Sequence, residues 1–238
     1  MLFLLRQLRR LELRKRSGQY FIYAIGEIVL IVVGILIALQ IQNWNQGRLD
    51  RIETRYLLEE LIDNLNQEAE RLEFGIEMTK ERLEAYTGVK AFFESQSFSE
   101  EQFLGFIPPI FTYFHFNPNT SAYETMKNTG LGFSNRQLKA RLVEYYDVRQ
   151  VLLVERTKEY GDLQSEVSRP MGIKYFKKGE SKNRMVPRDI HDPAFKAALL
   201  EPLDYLATST EVKLQVCQEI LEMNREIYAV VQKELEGM

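Results

Sequence analysis

The chain has 238 residues, 45% hydrophobic and 27% charged, with a formal net charge of −3. That length accommodates one membrane-crossing segment and one globular domain of roughly 190 residues. Six of the 31 basic residues but only one of the 34 acidic ones fall before residue 20, so the first 19 residues carry +5 and residues 42–238 carry −7. A nucleic-acid-binding role for the large region is thereby disfavoured, because phosphate neutralisation needs a concentrated basic face. Cys217 is the single cysteine and excludes an internal disulfide. His115 and His191 belong to no spaced Cys/His set of the kind zinc requires, and no metal or cofactor is expected.

Residues 1–19 form a basic tail carrying Arg6, Arg9, Arg10, Arg14, Lys15 and Arg16. It reads either as an amphipathic helix, with Leu4, Leu5, Leu8 and Leu11 on one face against an anionic inner leaflet, or as a topogenic flank without ordered structure. From Phe21 to Ile41, FIYAIGEIVLIVVGILIALQI, only Glu27 and Gln40 interrupt otherwise apolar or small residues. At 1.5 Å per residue the run is about 31 Å long, the thickness of the hydrocarbon core. A transmembrane helix over residues 20–42 is expected, with Tyr20, Tyr23 and Trp44 as interfacial anchors. A cleaved signal peptide has a shorter apolar region and a small-x-small site after it, and a buried soluble helix is seldom apolar around its whole circumference. Only Arg48, Arg51 and Arg55 follow the span closely, against six basic residues before it. The basic end therefore stays in the cytoplasm of an inner-membrane protein, with residues 43–238 periplasmic.

Within the span, Glu27, Gly34, Ala38 and Asn45 share one stripe. Small residues there admit a second helix, and an ionisable group in apolar surroundings normally faces a partner, water or a pore. Three readings of Glu27 stand side by side: helix pairing, ion conduction, and a polar residue tolerated near the interface.

Two blocks carry a resemblance. YAIGEIVLIVVGILIALQIQNWN, Tyr23 to Asn45, and SAYETMKNTGLGFSNRQLKARLVEYYD, Ser121 to Asp147, together about fifty of the 238 residues, resemble the recurring segments of an uncharacterised family of Gram-negative envelope proteins, a domain of unknown function. The resemblance implies a single-span inner-membrane protein with a helical extracytoplasmic region, and no activity for any residue.

Past Trp44, apolar Leu58, Leu61, Leu65, Ala69, Leu72, Ile76, Leu83, Tyr86 and Phe93 recur at threes and fours. The spacing predicts one long amphipathic helix over about 45–94, with charges such as Glu59, Glu70, Arg71 and Lys80 on its solvated face. A near-3.5 repeat also suits a coiled coil in a homo-oligomer. Ser99 and Gln102 form a capping box before a short helix expected to stop by Pro108 and Pro109. Phe111, Tyr113, Phe114 and Phe116 read as a core plug beneath a loop rather than a stacking platform, and His115 as structural. Further boxes at Ser121/Glu124 and Ser134/Gln137 predict a short helix ending at Gly130, then a long one that buries Leu138, Leu142, Tyr145, Val148 and Leu152 and runs to about Gln164. Residues 165–192 contain Pro170, Gly172, Gly179 and Pro187 and read as a long loop, with a small hairpin near Gly179. Its Lys174, Lys177, Lys178, Lys182 and Arg184 form a basic cluster, solvated or docked on an acidic partner or lipid headgroups. Asp192 before Pro193 starts a helix, Pro202 and the TSTE stretch at 208–211 suggest a kink or a break, and a last helix buries Val212, Val216, Ile220, Met223, Ile227, Val230 and Leu235. An all-α fold follows: one transmembrane helix, a long amphipathic helix and an antiparallel helical bundle.

No nucleophile elbow, phosphate-binding glycine loop or metal-spaced set appears, so a non-enzymatic role is expected. Two functions fit. The first is a membrane-anchored interaction or scaffold protein that lies in the bilayer and binds an unknown envelope protein. The second is a sensor or ion-motive-force-coupled membrane subunit that uses Glu27.

Overall fold

The computed structural model describes residues 2–95, 98–133, 135–179 and 185–238, with side chains from residue 25 onward. Its fold is all-α apart from one hairpin. In chain order come α1 (Leu2–Ser95), α2 (Glu100–Phe111), α3 (Ser121–Thr129), α4 (Arg136–Val143), a π-helical segment (Glu144–Gln150), α5 (Val151–Tyr175), strands β1 (Phe176–Lys178) and β2 (Met185–Pro187), α6 (Pro193–Leu200) and α7 (Leu203–Glu236). The chain divides into two units, residues 1–53 and 54–238.

In the first unit the backbone is helical from Leu2, the basic tail included. Every described side chain from Ile25 to Gln46 is exposed. An 18-residue window there has a mean hydropathy of 2.3 with none of it buried, so this helix is long and apolar enough to cross a membrane.

The second unit is built from residues that bury one stripe per helix. Leu58, Leu61, Leu65, Leu72, Ile76 and Tyr86 of α1 are buried as their spacing predicts, Ala69, Leu83 and Phe93 are half-buried, and Glu59, Glu70, Arg71 and Lys80 are exposed. Glu73 pairs with Arg225 at 2.7 Å and Lys90 with Asp204 at 3.1 Å, which sets α7 running against α1. Glu68 is met by Tyr145 and Tyr86 by Tyr160, so α5 runs with α1. Two apolar clusters result. One gathers Leu58 to Ile76, Leu138, Leu142, Leu153, Ile220 and Ile227; the other gathers Val89, Phe103, Ile107, Ile110, Met171, Phe195 and Leu206. Phe114 and Phe116 plug the first cluster, while Tyr113 and His115 alternate outward, as in any extended segment.

Several local expectations are corrected. The Ser99/Gln102 box is present, but α2 continues through Pro108 and Pro109 to Phe111. Pro108 and Gly105 are exposed, so the disrupted bonds lie toward the solvent side of the helix, while buried Ile107 and Ile110 hold the last turn in place. Ser121 is not a cap: Thr120 holds that position without a side-chain bond, and the Ser121 hydroxyl donates instead to Glu60 Oε1 at 2.9 Å. Gly130 does end α3, at φ 74°. Asn135 caps α4 by accepting from Gln137 N at 2.9 Å, and Ser134 lies outside the described residues.

The loop expected at 165–192 is helical over residues 165–175. α5 runs to Tyr175 with Pro170 inside it, because Pro170 faces solvent while Met171 is buried beside Phe195 and Phe176 in the second cluster. The hairpin near Gly179 forms, pairing Phe176 with Pro187. Lys182 and Arg184 of the basic cluster lie outside the described residues, and Lys177 is exposed. Asp192 caps α6 as its sequence predicts, accepting from Ala194 N at 2.9 Å. Residues 208–211 do not break α7, which is continuous from Leu203.

Three core assignments also change. Val148 and Leu152 are exposed, because the π-helical segment adds a residue to the turn and brings Tyr146, Gln150 and Leu153 inward instead. Val212 is 54% exposed, and its neighbours Thr210 and Lys213 take the buried places.

Gly75 tests the packing of the plug. A Cβ added there collides with the Phe114 ring, whereas one added at Gly172 of α5 meets nothing within 4 Å. Gly75→Ala should therefore destabilise the domain by roughly 1–3 kcal/mol, and Gly172→Ala should stabilise it by up to about 1 kcal/mol, as read from denaturant midpoints.

Candidate functional site

The residues singled out from sequence in the apolar helix are not gathered into a site. Glu27, Gly34 and Ala38 are exposed, a Cβ added at Gly34 meets nothing within 4 Å, and Trp44 is exposed as well. The side chains of Arg6, Arg9, Arg10, Arg14, Lys15, Arg16, Tyr20 and Tyr23 lie outside the described residues.

What the fold does bring together are two buried polar layers in the second unit. The first surrounds Glu68, which is fully buried. Its Oε1 accepts from Asn119 N at 2.9 Å, and its Oε2 accepts from the Tyr145 hydroxyl at 3.0 Å and from Gln150 Nε2 at 2.8 Å. Tyr145 and Gln150 are five residues apart, which an α-helix would place about 140° from each other. The π-helical turn between them aligns i with i+5 and lets both reach one oxygen. Asn224 of α7 donates to Tyr145 Oη at 2.8 Å and to Leu65 O at 3.1 Å, tying the third helix in. Burial pushes the Glu68 carboxyl up to about 7, against these hydrogen bonds and the Arg71 charge.

The second layer is cationic and lies at the junction of the two apolar clusters. Arg82 is fully buried and Lys213 is 3% exposed. Arg82 Nε donates to Pro109 O at 3.1 Å and its Nη2 to Thr112 O, the carbonyls at the C-terminal end of α2, where the helix dipole favours a cation. Gln164 Nε2 serves Ile110 O in the same turn. Lys213 Nζ donates to Phe114 O at 3.0 Å. The Tyr160 ring lies 5.2 Å from the Arg82 guanidinium carbon and 4.8 Å from Lys213 Nζ. Its hydroxyl stands 3.1 Å from that of Tyr86 and 3.0 Å from that of Thr210. Burial, then the neighbouring Arg82 charge, pushes the Lys213 ammonium down to about 8. One turn on, burial pushes the Cys217 thiol up to about 11.

A cleft of about 300 Å³ between α5 and α7 reaches Lys213 and Tyr160. Among the described residues no group of three His, Cys, Asp or Glu side chains is placed to hold a metal ion. The arrangement is thus a buried pair of cations whose partners among the described residues are carbonyl oxygens and aromatic faces, with one member lining a cleft.

No sequence motif marks Glu68, Arg82 or Lys213. The signal that locates them is positional. On α1 the buried series 58, 61, 65, 68, 72, 75, 79, 82, 86, 89 alternates threes and fours, and Glu68 and Arg82 occupy steps of it. On α7 the series 203, 206, 210, 213, 217, 220, 224, 227, 231 does the same, with Lys213 and Asn224 on it.

Glu68 has a signed consequence for pH. Its folded value lies above the ordinary 4.5, so the folded state holds its proton longer and the associated stability is present below about pH 4.5 and lost as pH rises through 7. The loss relative to Glu68→Gln, an isostere that cannot ionise, should be on the order of 3 kcal/mol between pH 4.5 and 8. Chemical unfolding followed by the near-ultraviolet signal of the buried tyrosines measures it. A stability difference that stays flat across this range would mean that Glu68 ionises like an ordinary surface acid.

No curated protein and no solved structure matches the chain. A family model matches residues 27–191, a stretch that holds Glu68, Arg82 and the π-helical turn but ends before Lys213. The match covers more than half of the 238 residues, and the chain belongs to the family of unknown function DUF6090.

Proposed function

We propose that this is a membrane-anchored, non-enzymatic interaction or scaffold protein of the cell envelope. Residues 20–42 form its one transmembrane helix in the inner membrane, the basic tail stays in the cytoplasm, and residues 43–238 are periplasmic. The single observation that carries the reading is the exposure of the apolar helix. Twelve large aliphatic side chains between Ile25 and Ile41 are exposed together. At about 1.5 kcal/mol each, covering them with lipid is favourable by on the order of 20 kcal/mol. Glu27 opposes this by only about 3 kcal/mol, so the span wins.

The shared three-and-four seams of α1, α5 and α7 support a helical bundle as the part that presents a surface to an envelope partner. The stripe of Gly34 and Ala38 supports self-association of the span. A second reading rests on Glu27 itself, a carboxylate exposed within that helix, which would serve a sensor or an ion-motive-force-coupled subunit.

Two measurements test these readings. The full chain should remain in the pellet after alkaline carbonate washing, and alkaline phosphatase fused after Met238 should be active; extraction into the wash, or an inactive fusion, sinks the placement. Co-purification of partners from mildly solubilised membranes should survive Glu27→Gln. Intact partner assembly together with lost cellular function in that variant would favour the ion-coupled reading over the scaffold.

A further inference from the structure

The cleft between α5 and α7 has a composition that a packing defect does not need. Its volume of about 300 Å³ is at the small end of ligand pockets. Its walls carry Leu163, Val216 and the outward-facing Val212 and Tyr205, and its interior reaches Tyr160 and Lys213. The charges that line it are Arg156, Glu159 and Lys213. Arg156 and Glu159 pair with each other at 3.1 Å, which leaves Lys213 as the unbalanced one and the cleft with a single net positive charge.

Lys213 is the one of the two buried cations that lines the cleft. Arg82 lies among the carbonyls that end α2, although its Nη1 is buried with no partner among the described residues. Lys213 carries three N–H donors, and among the described residues its hydrogen bond goes to Phe114 O. Among the described residues no carboxylate is paired with either cation, so two like charges share the junction between the apolar clusters. Removing an ammonium from water without a counter-charge is strongly unfavourable, and an anion entering from the cleft offsets that penalty at the one cation it can reach.

We propose that this cleft is a binding site for a small amphipathic monoanion, a carboxylate on an aryl or short aliphatic body. The carboxylate ion-pairs with Lys213, and the body lies against Leu163, Val216 and Val212. A single positive charge matches a monoanion, and the apolar walls select against inorganic phosphate, which would leave them wet. Arg82, behind Tyr160, adds positive potential without touching the ligand. The site is independent of the scaffold reading, since every residue in it belongs to the second unit.

The test uses the full-length protein in lipid nanodiscs, with phenylacetate as the probe and binding followed by saturation-transfer NMR. Phenylacetate should saturate a site, and 2-phenylethanol, the same body without the charge, should bind at least tenfold more weakly. Lys213→Met keeps the length of the side chain and removes the charge, and should weaken phenylacetate at least tenfold with the helical circular dichroism unchanged. Val212→Trp fills the mouth of the cleft from an exposed position and should abolish binding; it decides between the outcomes if Lys213→Met does not fold. The proposal is overturned by any of three results: no saturable phenylacetate binding, undiminished binding in the folded Lys213→Met or Val212→Trp protein, or inorganic phosphate bound as tightly as phenylacetate.

Discussion

Burying charge inside a helical seam is the constraint around which the domain is arranged. Glu68 and Arg82 occupy equivalent steps of the α1 stripe but stand 14 residues apart, which is about 21 Å along the helix. They cannot neutralise each other at that separation, so each must be solvated where it stands. The two solutions differ because the groups differ. A carboxyl can take up a proton, and Glu68, held by amide and hydroxyl donors, does so near neutrality. A guanidinium cannot give its proton up, so Arg82 must be met by acceptors. The chain supplies them by ending α2 against it, with two carbonyls turned toward the guanidinium.

This requirement explains features that look irregular in isolation. The π-helical turn at Glu144–Gln150 forfeits regular hydrogen bonding, but it places Tyr145 and Gln150 on the same carboxylate oxygen. Gln150 Oε1 is buried with no partner among the described residues, so rotating this amide would offer an acceptor to a protonated Glu68 in place of the donor offered to a charged one. The same side chain thus accommodates either protonation state. The extended run from Thr112 to Phe116 is likewise a bridge between layers: its Thr112 carbonyl meets Arg82, its Phe114 carbonyl meets Lys213, and the Phe114 ring fills the space that Gly75 leaves open.

Much of the fold is legible in the sequence because apolar periodicity reports burial directly. The α1 stripe from Leu58 to Tyr86, the Ser99/Gln102 and Asp192 caps, the Gly130 stop and the hairpin near Gly179 follow from local chemistry, and the structure agrees. Prolines mislead where they face solvent. Pro108 and Pro170 are exposed, so the broken hydrogen bond falls on the solvent side of each helix, while buried neighbours hold the helix together. The register beyond Tyr145 is illegible because nothing in EYYDVRQ announces an extra residue in the turn; only the Glu68 carboxylate, 77 positions away from Tyr145, gives it a purpose. The polar layers escape for a related reason. Glu68, Arg82 and Lys213 lie on the three-and-four series, but a reading that follows apolar residues passes over them and lets Val212 stand in for Lys213.

The layers also decide which alignment of the helices is native. Slide α7 by one heptad and Ile220 takes the place of Ile227, so at such apolar positions packing distinguishes the two registers weakly. The polar positions respond differently. Cys217 would take the place of Asn224, leaving Tyr145 Oη without that donor, and Leu206 would take the place of Lys213, leaving Phe114 O unmet. Lys213 itself would enter the apolar site of Ile220. Each buried group left unpaired costs about 1–3 kcal/mol, a large share of the stability of a domain this size. Polar residues at two levels of a seam therefore lower the gain from burial in the correct register while making the neighbouring registers far worse, and a carboxyl layer and a cationic layer cannot be exchanged for each other.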